Sequence, residues 1–455
     1  MRQPRLCLFT QTPLTRFLRP GAPSEVAWDD LVEGEDHLPS PGGVTRMLRA
    51  LLAQWHEERR HREVAWLTLA AADSPRVRLP CAAWTQGLAL APREQEAYAA
   101  AKGALWSVLH RMPSPLAPDE VAEGLAPLSA LLGARARGEH ARDPFDVFYA
   151  HDFQLLPLAS ELPHDAPAVL RWHAPVVPMP PAWEAYVARA LDAYDAVIVS
   201  TAGYARELRR MGVRAPIRAA YPYLDFGSPH VVASPDVAAF EARHGLAPDD
   251  VVFTVVARLD PIKSQDVAIR AMPRVLEREP RARLLLVGGG GFSAGRGGLG
   301  MGHGASWRAD LERLAADLGV ADRVTFTGGV LDAELEAAYA RSRAVLLPSA
   351  LEGFGLAPVE AWIRGLPVVV SRGAGVAELV REGWNGFACA PDDPEDLARG
   401  MVALARDAAA ARAMGARGRA TARACDVATA AGGVWDVLAR AAGRPAPRAR
   451  ERSLA

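Results

Sequence analysis

The run Leu346-Leu347-Pro348-Ser349-Ala350-Leu351-Glu352-Gly353-Phe354-Gly355-Leu356-Ala357-Pro358-Val359-Glu360-Ala361 carries two carboxylates around a glycine-bearing turn. It reads as a strand, a turn and a helix start, with Pro358 near the first helical position, where a missing N–H costs little. The backbone amides of residues 354–357 would then face an anion, aided by the helix dipole. Carboxylates beside such a pocket repel phosphate, so Glu352 and Glu360 are better suited to accepting hydrogen bonds from sugar hydroxyls. On spacing alone, ordinary surface carboxylates near a helix N-terminus remain the better reading. A second run, Val255-Val256-Ala257-Arg258-Leu259-Asp260-Pro261-Ile262-Lys263-Ser264-Gln265-Asp266, puts Arg258 and Lys263 just past the C-terminal end of a strand. That edge is where doubly wound sheets bind ligands. Arg with its planar fork and Lys as a point charge could together clamp a diphosphate; taken singly they read as a surface Arg and an ion-paired Lys.

These residues need a parallel sheet to position them. Short runs rich in β-branched and aliphatic residues alternate with helical patterns along the chain, the sign of βαβ units. Strands are expected near Leu6–Phe9, Val64–Leu69, Val147–Tyr149, Val169–Trp172, Val197–Ser200 and Ile217–Ala220, and again at Val251–Val256, Ala282–Val287, Val324–Phe326, Ala344–Leu347 and Pro367–Val370. Helices are expected at Val44–Glu57, Glu94–Leu109, Trp183–Leu191, Gln265–Leu276, Trp307–Leu318, Asp332–Ala340, Ala357–Arg364 and Pro394–Ala405. The economical reading is an α/β protein of two doubly wound, Rossmann-like domains facing across a cleft, a natural ligand site. Gly227, Pro229, Pro235 and Pro248 place the linker within 225–250, giving domains 1–235 and 236–425, a helix in 426–442 that crosses back, and a frayed tail 443–455. Gly288-Gly289-Gly290-Gly291 follow a strand directly. The glycine-dense stretch 288–304 reads mostly as a long surface loop, whereas Gly288 sits at the ligand-binding edge.

Composition bounds the function. The 455 residues suit two or three domains, and 52 Lys plus Arg against 53 Asp plus Glu leave a charge of -1, so no global field draws in nucleic acid or an anionic membrane. Cys7, Cys81, Cys389 and Cys425 lie far apart, with neither metal-ligand nor disulfide spacing. The apolar run at Leu6–Phe9 is too short for a signal-peptide core, and no stretch reaches the ~18 to 20 apolar residues of a membrane helix. A cytoplasmic setting is expected, and a homodimer is left open.

Together, Arg-x4-Lys and the later Glu-Gly-Phe-Gly-Leu-x3-Glu-Ala resemble the donor half of retaining GT-B glycosyltransferases of the glycogen synthase, sucrose synthase and trehalose synthase type, over residues 251–407. The resemblance implies Arg258 and Lys263 on the diphosphate of a UDP-, ADP- or GDP-hexose, Glu352 on the transferred hexose and Glu360 on the ribose. Phe354, Gly355 and Leu356 would offer backbone to phosphate and sugar, Gly288 would lie beside them, and Val330 matches the base-contacting loop. In the first half, Pro41-Gly42-Gly43-Val44 is similar to the glycine pair that approaches the donor phosphates, and equally fits a turn and helix start. Ala150-His151-Asp152-Phe153-Gln154-Leu155-Leu156-Pro157 resembles the acceptor-contacting segment of trehalose-phosphate synthases, placing His151 and Asp152 on the acceptor; Asp152 could instead cap the following helix. Leu170-Arg171-Trp172-His173-Ala174-Pro175 resembles the segment whose His contacts the donor hexose. Ala257 and Ser264 depart from glycines usual around Arg-x4-Lys, and the insertion 295–304 is longer than usual.

The resemblance implies a hexosyltransferase acting on small molecules, with Arg258, Lys263, Glu352 and His173 as the catalytic set and glucose as the expected hexose. No two aspartates are separated by a single residue, so the metal-chelating Asp-x-Asp of the other major glycosyltransferase fold is missing and no obligatory cofactor or metal is expected. Alternatives of other classes are a nucleotide-sugar epimerase, a dinucleotide oxidoreductase and a catalytically silent nucleotide-sugar-binding protein.

Overall fold

The computed structural model describes residues 3–18, 24–40, 42–226, 236–290 and 304–443. Pro41, residues 227–235 of the expected linker, 291–303 of the glycine-dense loop and 444–455 of the tail lie outside them. The chain divides into two compact units: one ends at Asp225 and takes in the helix Val427–Ala442, and the other is Phe226–Asp426.

The second unit is built on six parallel strands in the spatial order Val324–Gly328, Ala282–Val287, Val251–Val256, Ser342–Leu347, Val368–Ser371 and Gly386–Cys389. The central strands are near-continuous apolar runs because helices cover both faces. Gln265–Leu276, for example, buries Val267, Ala268, Ile269, Ala271, Met272 and Val275 against that sheet. Gly386–Cys389 is an edge strand that the sequence reading did not anticipate.

The first unit is built on a nine-stranded sheet ordered Ile217–Ala219, Ala196–Val199, Ala168–Arg171, Val147–His151, Arg5–Thr10, Glu63–Leu69, Ala83–Leu88, Arg76–Leu79 and Glu25–Ala27. All neighbours are parallel except the antiparallel pair Arg76–Leu79 and Ala83–Leu88. The final helix joins this core: Val427, Ala431, Val434, Leu438 and Ala441 pack with the helix Gly43–Glu57, and Trp55 Nε1 donates to Ala431 O at 3.2 Å. The four cysteines are free. No helix among the described residues is long and apolar enough to cross a membrane.

Candidate functional site

The turn after Val251–Val256 is shaped by its neighbour strand. Gly288, at φ 138, ends the strand Ala282–Val287, and a Cβ there would lie 2.1 Å from Ala257 O. Its amide donates to Gly328 O at 3.0 Å, while Ala257 N and Leu259 N donate to Val287 O and Gly289 O at 3.0 and 2.8 Å. Only glycine permits this approach, so Gly288 sets the path of residues 257–259. Arg258 Nη2 pairs with Asp260 Oδ2 at 2.9 Å, and Asp260 Oδ1 accepts from Ile262 N at 3.2 Å, capping the short 3-10 turn Pro261–Lys263. Gln265 Nε2 donates to Arg258 O at 2.8 Å, and Trp307 Nε1 donates to Gln265 Oε1 at 3.0 Å.

Lys263 Nζ forms an ion pair with Glu352 Oε2, both side chains being mostly buried. The ion-paired lysine of the plainer reading is therefore present, and its partner is the other candidate residue. Ser264 follows in the left-handed region at φ 51, and its Oγ accepts from Ala350 N at 3.1 Å. Glycine adopts that geometry freely, and the Oγ bond is what serine adds.

The Glu352 backbone is held on both sides: its amide donates to Gly373 O at 3.1 Å, and Gly375 N donates to its carbonyl at 3.2 Å. Val376 N donates to the carbonyl of buried Phe354 at 2.8 Å, and Gly355 turns the chain at φ 95. Leu356 is the N-cap of the helix Ala357–Ile363, with no side-chain capping bond and Pro358 in the first turn. Glu360 is not a surface carboxylate. It is 7% exposed and accepts from Tyr339 Oη at 2.7 Å. Arg364 donates to Glu360 O at 2.8 Å, pairs with Glu336, and lies 4.4 Å over the Tyr339 ring. Val330 packs its side chain on the cluster of Phe240, Val252, Leu285 and Ala338.

In the first unit, strand pairing brings together residues 22 apart. His151 ends its strand opposite Arg171, and His173 follows two residues later; His151 Nδ1 and His173 Nε2 are 3.0 Å apart, with the ring planes within 13° of each other. His151, expected on the acceptor, is 1% exposed. Asp152, at φ 76, makes no side-chain capping bond with the 3-10 segment Phe153–Glu161. Its Oδ1 accepts from His173 N and Ala174 N, both at 3.2 Å, fixing the loop that carries His173. Burial raises the Asp152 carboxyl to about 6 against these amide hydrogen bonds. Burial and the Arg171 charge hold the His173 imidazole well below the ordinary range. Gly42 and Gly43 stand at the N-terminus of the helix Gly43–Glu57, where Thr45 Oγ1 donates to Gly42 O at 3.0 Å. The described contacts do not join them to His173.

Asp260, Gln265 and Tyr339 support the site and escaped the sequence reading. Asp260 and Gln265 flank the cations in sequence and could have been found there; Tyr339 carries no local signal.

Residues 236–421 match the family described as Glycosyl transferases group 1. A D-inositol 3-phosphate glycosyltransferase 2 of Catenulispora acidiphila is 34% identical over 220 residues, 48% of this chain and 49% of that protein. The chain spans about half the length of such curated relatives. Among solved structures, sucrose-phosphate synthase from Thermosynechococcus elongatus superposes with a TM-score of 0.70 at 20% identity, covering 96% of this chain and 100% of that one. The E. coli trehalose-6-phosphate synthase bound with UDP-2-fluoro glucose gives 0.73 at 16% identity, covering 95% and 98%. At these identities the likeness is one of fold.

Proposed function

We propose, from the premise that residues 236–421 belong to the group 1 glycosyl transferases and that the chain has the GT-B fold of two Rossmann-like domains, that the protein is a retaining hexosyltransferase. It would move a hexose, with glucose the first candidate, from a nucleoside diphosphate to a hydroxyl of a small acceptor. The observation that carries this reading is the Lys263–Glu352 pair at the C-terminal edge of a parallel sheet, with Arg258 on the same turn. Cation and carboxylate side by side suit a ligand that is anionic at one end and rich in hydroxyls at the other.

In the proposed reaction Arg258 and Lys263 bind the diphosphate, and Lys263 exchanges part of its pairing with Glu352 for the phosphate oxygens. Glu352 then accepts from hexose hydroxyls, and Glu360, oriented by Tyr339, accepts from the ribose. The bond from the anomeric carbon to the diphosphate oxygen breaks as charge on the leaving group is stabilised by the two cations. The acceptor oxygen bonds to the same face of that carbon, and its proton passes to the departing diphosphate oxygen. Binding and orientation supply most of the acceleration, since this route uses no protein nucleophile. His173 is assigned to the hexose and Asp152 to the acceptor, each as a role for substitution to test.

The test is incubation with UDP-, ADP- and GDP-hexoses and a panel of small sugars, sugar phosphates and polyols, read by mass spectrometry and by proton NMR of the new anomeric centre. A product one hexose heavier with the donor's anomeric configuration supports the reading. An inverted centre, or an isomerised donor sugar formed without acceptor, contradicts it.

A further inference from the structure

We infer that His151 is a positioning residue that fixes the ring tautomer of His173, so that His173 presents a donating Nδ1–H. The tautomer follows from geometry alone; its consequence for catalysis rests on the reading of His173 as a hexose-contacting residue.

The two ring planes are within 13° of each other, the centroids are 5.3 Å apart and His151 Nδ1 and His173 Nε2 are at 3.0 Å, so the rings meet edge to edge and one proton sits between the two nitrogens. A neutral imidazole has one donor and one acceptor nitrogen, and the bond made by one sets the role of the other. Were His173 the donor, His151 would carry its own proton on Nε2. That atom is buried with no hydrogen-bond partner, and an orphaned buried N–H is among the costliest polar arrangements. With His151 donating from Nδ1, its Nε2 is instead a bare ring nitrogen, and no N–H is left orphaned there. His173 Nε2 then accepts, and its proton is on Nδ1, which no described residue engages.

The surroundings keep both rings neutral. Arg171, opposite His151 across the strand pair, is fully buried; its side chain donates to the carbonyls of Ala220 and Tyr221 at 3.0 and 3.1 Å and lies 5.2 Å over the Tyr223 ring. No carboxylate among the described residues pairs with it, so its charge acts undiminished on the imidazoles. Asp152 meets His173 through the backbone amide rather than the ring. Burial and these charges hold both imidazoles well below their ordinary range. A neutral His173 offers a hydroxyl oxygen a hydrogen bond without adding a cation where positive charge develops on the sugar ring.

The experiment is a long-range proton–nitrogen correlation spectrum of the full chain labelled with 15N-histidine, His173 being assigned by its loss in His173→Asn. The expected spectrum shows His173 protonated at Nδ1 and bare at Nε2, and His151→Leu shifts His173 away from that pure tautomer. In transfer assays His151→Leu lowers kcat about tenfold, the loss of one neutral hydrogen bond, with little change in donor KM. His151→Asn, which keeps a donor near the Nδ1 position, recovers most of the rate. A wild-type His173 protonated at Nε2 overturns the inference even if the leucine variant fails to fold. So does a His151→Leu protein whose His173 tautomer is unchanged. If the wild type transfers no hexose from any nucleotide sugar, the functional reading falls while the spectrum still decides the tautomer.

Discussion

Lys263 Nζ and the Glu352 carboxylate form an ion pair that ties the turn after Val251–Val256 to the loop after Ser342–Leu347, two strands that are neighbours in the sheet. The pair is mostly buried, so Lys263→Ala leaves the Glu352 carboxylate uncompensated and is expected to lower the melting temperature. Turnover by the folded variant is expected to fall at least about 100-fold, the scale of losing one group that stabilises developing charge. Steady-state kinetics beside a melting curve check this, and near-normal nucleotide release would remove Lys263 from the diphosphate.

Ser264 reinforces the same junction through its bond to Ala350 N while holding φ at 51. Ser264→Ala loses the bond and keeps the strain; Ser264→Gly loses the bond and relieves it. Alanine should thus be the less stable variant by about 1 kcal/mol in denaturant titrations. Equal stabilities would mean that the left-handed turn carries no strain.

Tyr339 orients the buried Glu360 carboxylate at 2.7 Å. Tyr339→Phe should raise donor KM severalfold with acceptor KM little changed, and Glu360→Gln should do so more strongly. If acceptor KM moves instead, Glu360 does not serve the ribose.

Asp152 sets a pH dependence. Its carboxyl titrates at about 6 in the folded protein against 3.8 for the free group, because burial penalises the charged form. The stability it contributes is full below about 3.8 and is lost as pH rises through about 6. Asp152→Asn, which cannot ionise, should melt higher than wild type at pH 8, with the gap closing below pH 4. As an acceptor-binding carboxylate it should also give kcat/KM an acid limb near 6. His151 and His173, held well below the ordinary range, do not supply that limb. Its persistence in Asp152→Asn would assign it elsewhere.

Much of the second unit was legible because its strands are uninterrupted apolar runs: Val251–Val256 and Ala282–Val287 match their expected bounds residue for residue. The pair Arg76–Leu79 and Ala83–Leu88 was not, since Arg76, Arg78, Gln86 and Gly87 break the apolar pattern at the sheet's side. The longest helix, Pro118–Arg142, was hidden by Gly124, Pro127, Gly133 and Gly138, which read as breakers. Gly124 is there for packing: a Cβ would lie 2.5 Å from Ala101 Cβ on the helix Pro92–Leu109. In the site, Arg258, Lys263, Glu352 and Glu360 could be named from local motifs. The Lys263–Glu352 and His151–His173 pairs could not, because each depends on which strands lie side by side.

The most direct test of the account is transfer from UDP-, ADP- and GDP-hexoses by the wild type and Lys263→Ala in parallel, with free nucleoside diphosphate and glycosylated product measured together. The account predicts equal amounts of both from the wild type with at least one donor, and about 100-fold less of both from the variant. Equal product from the two proteins, or nucleotide release by the wild type with no glycosylated product from any acceptor, would contradict it.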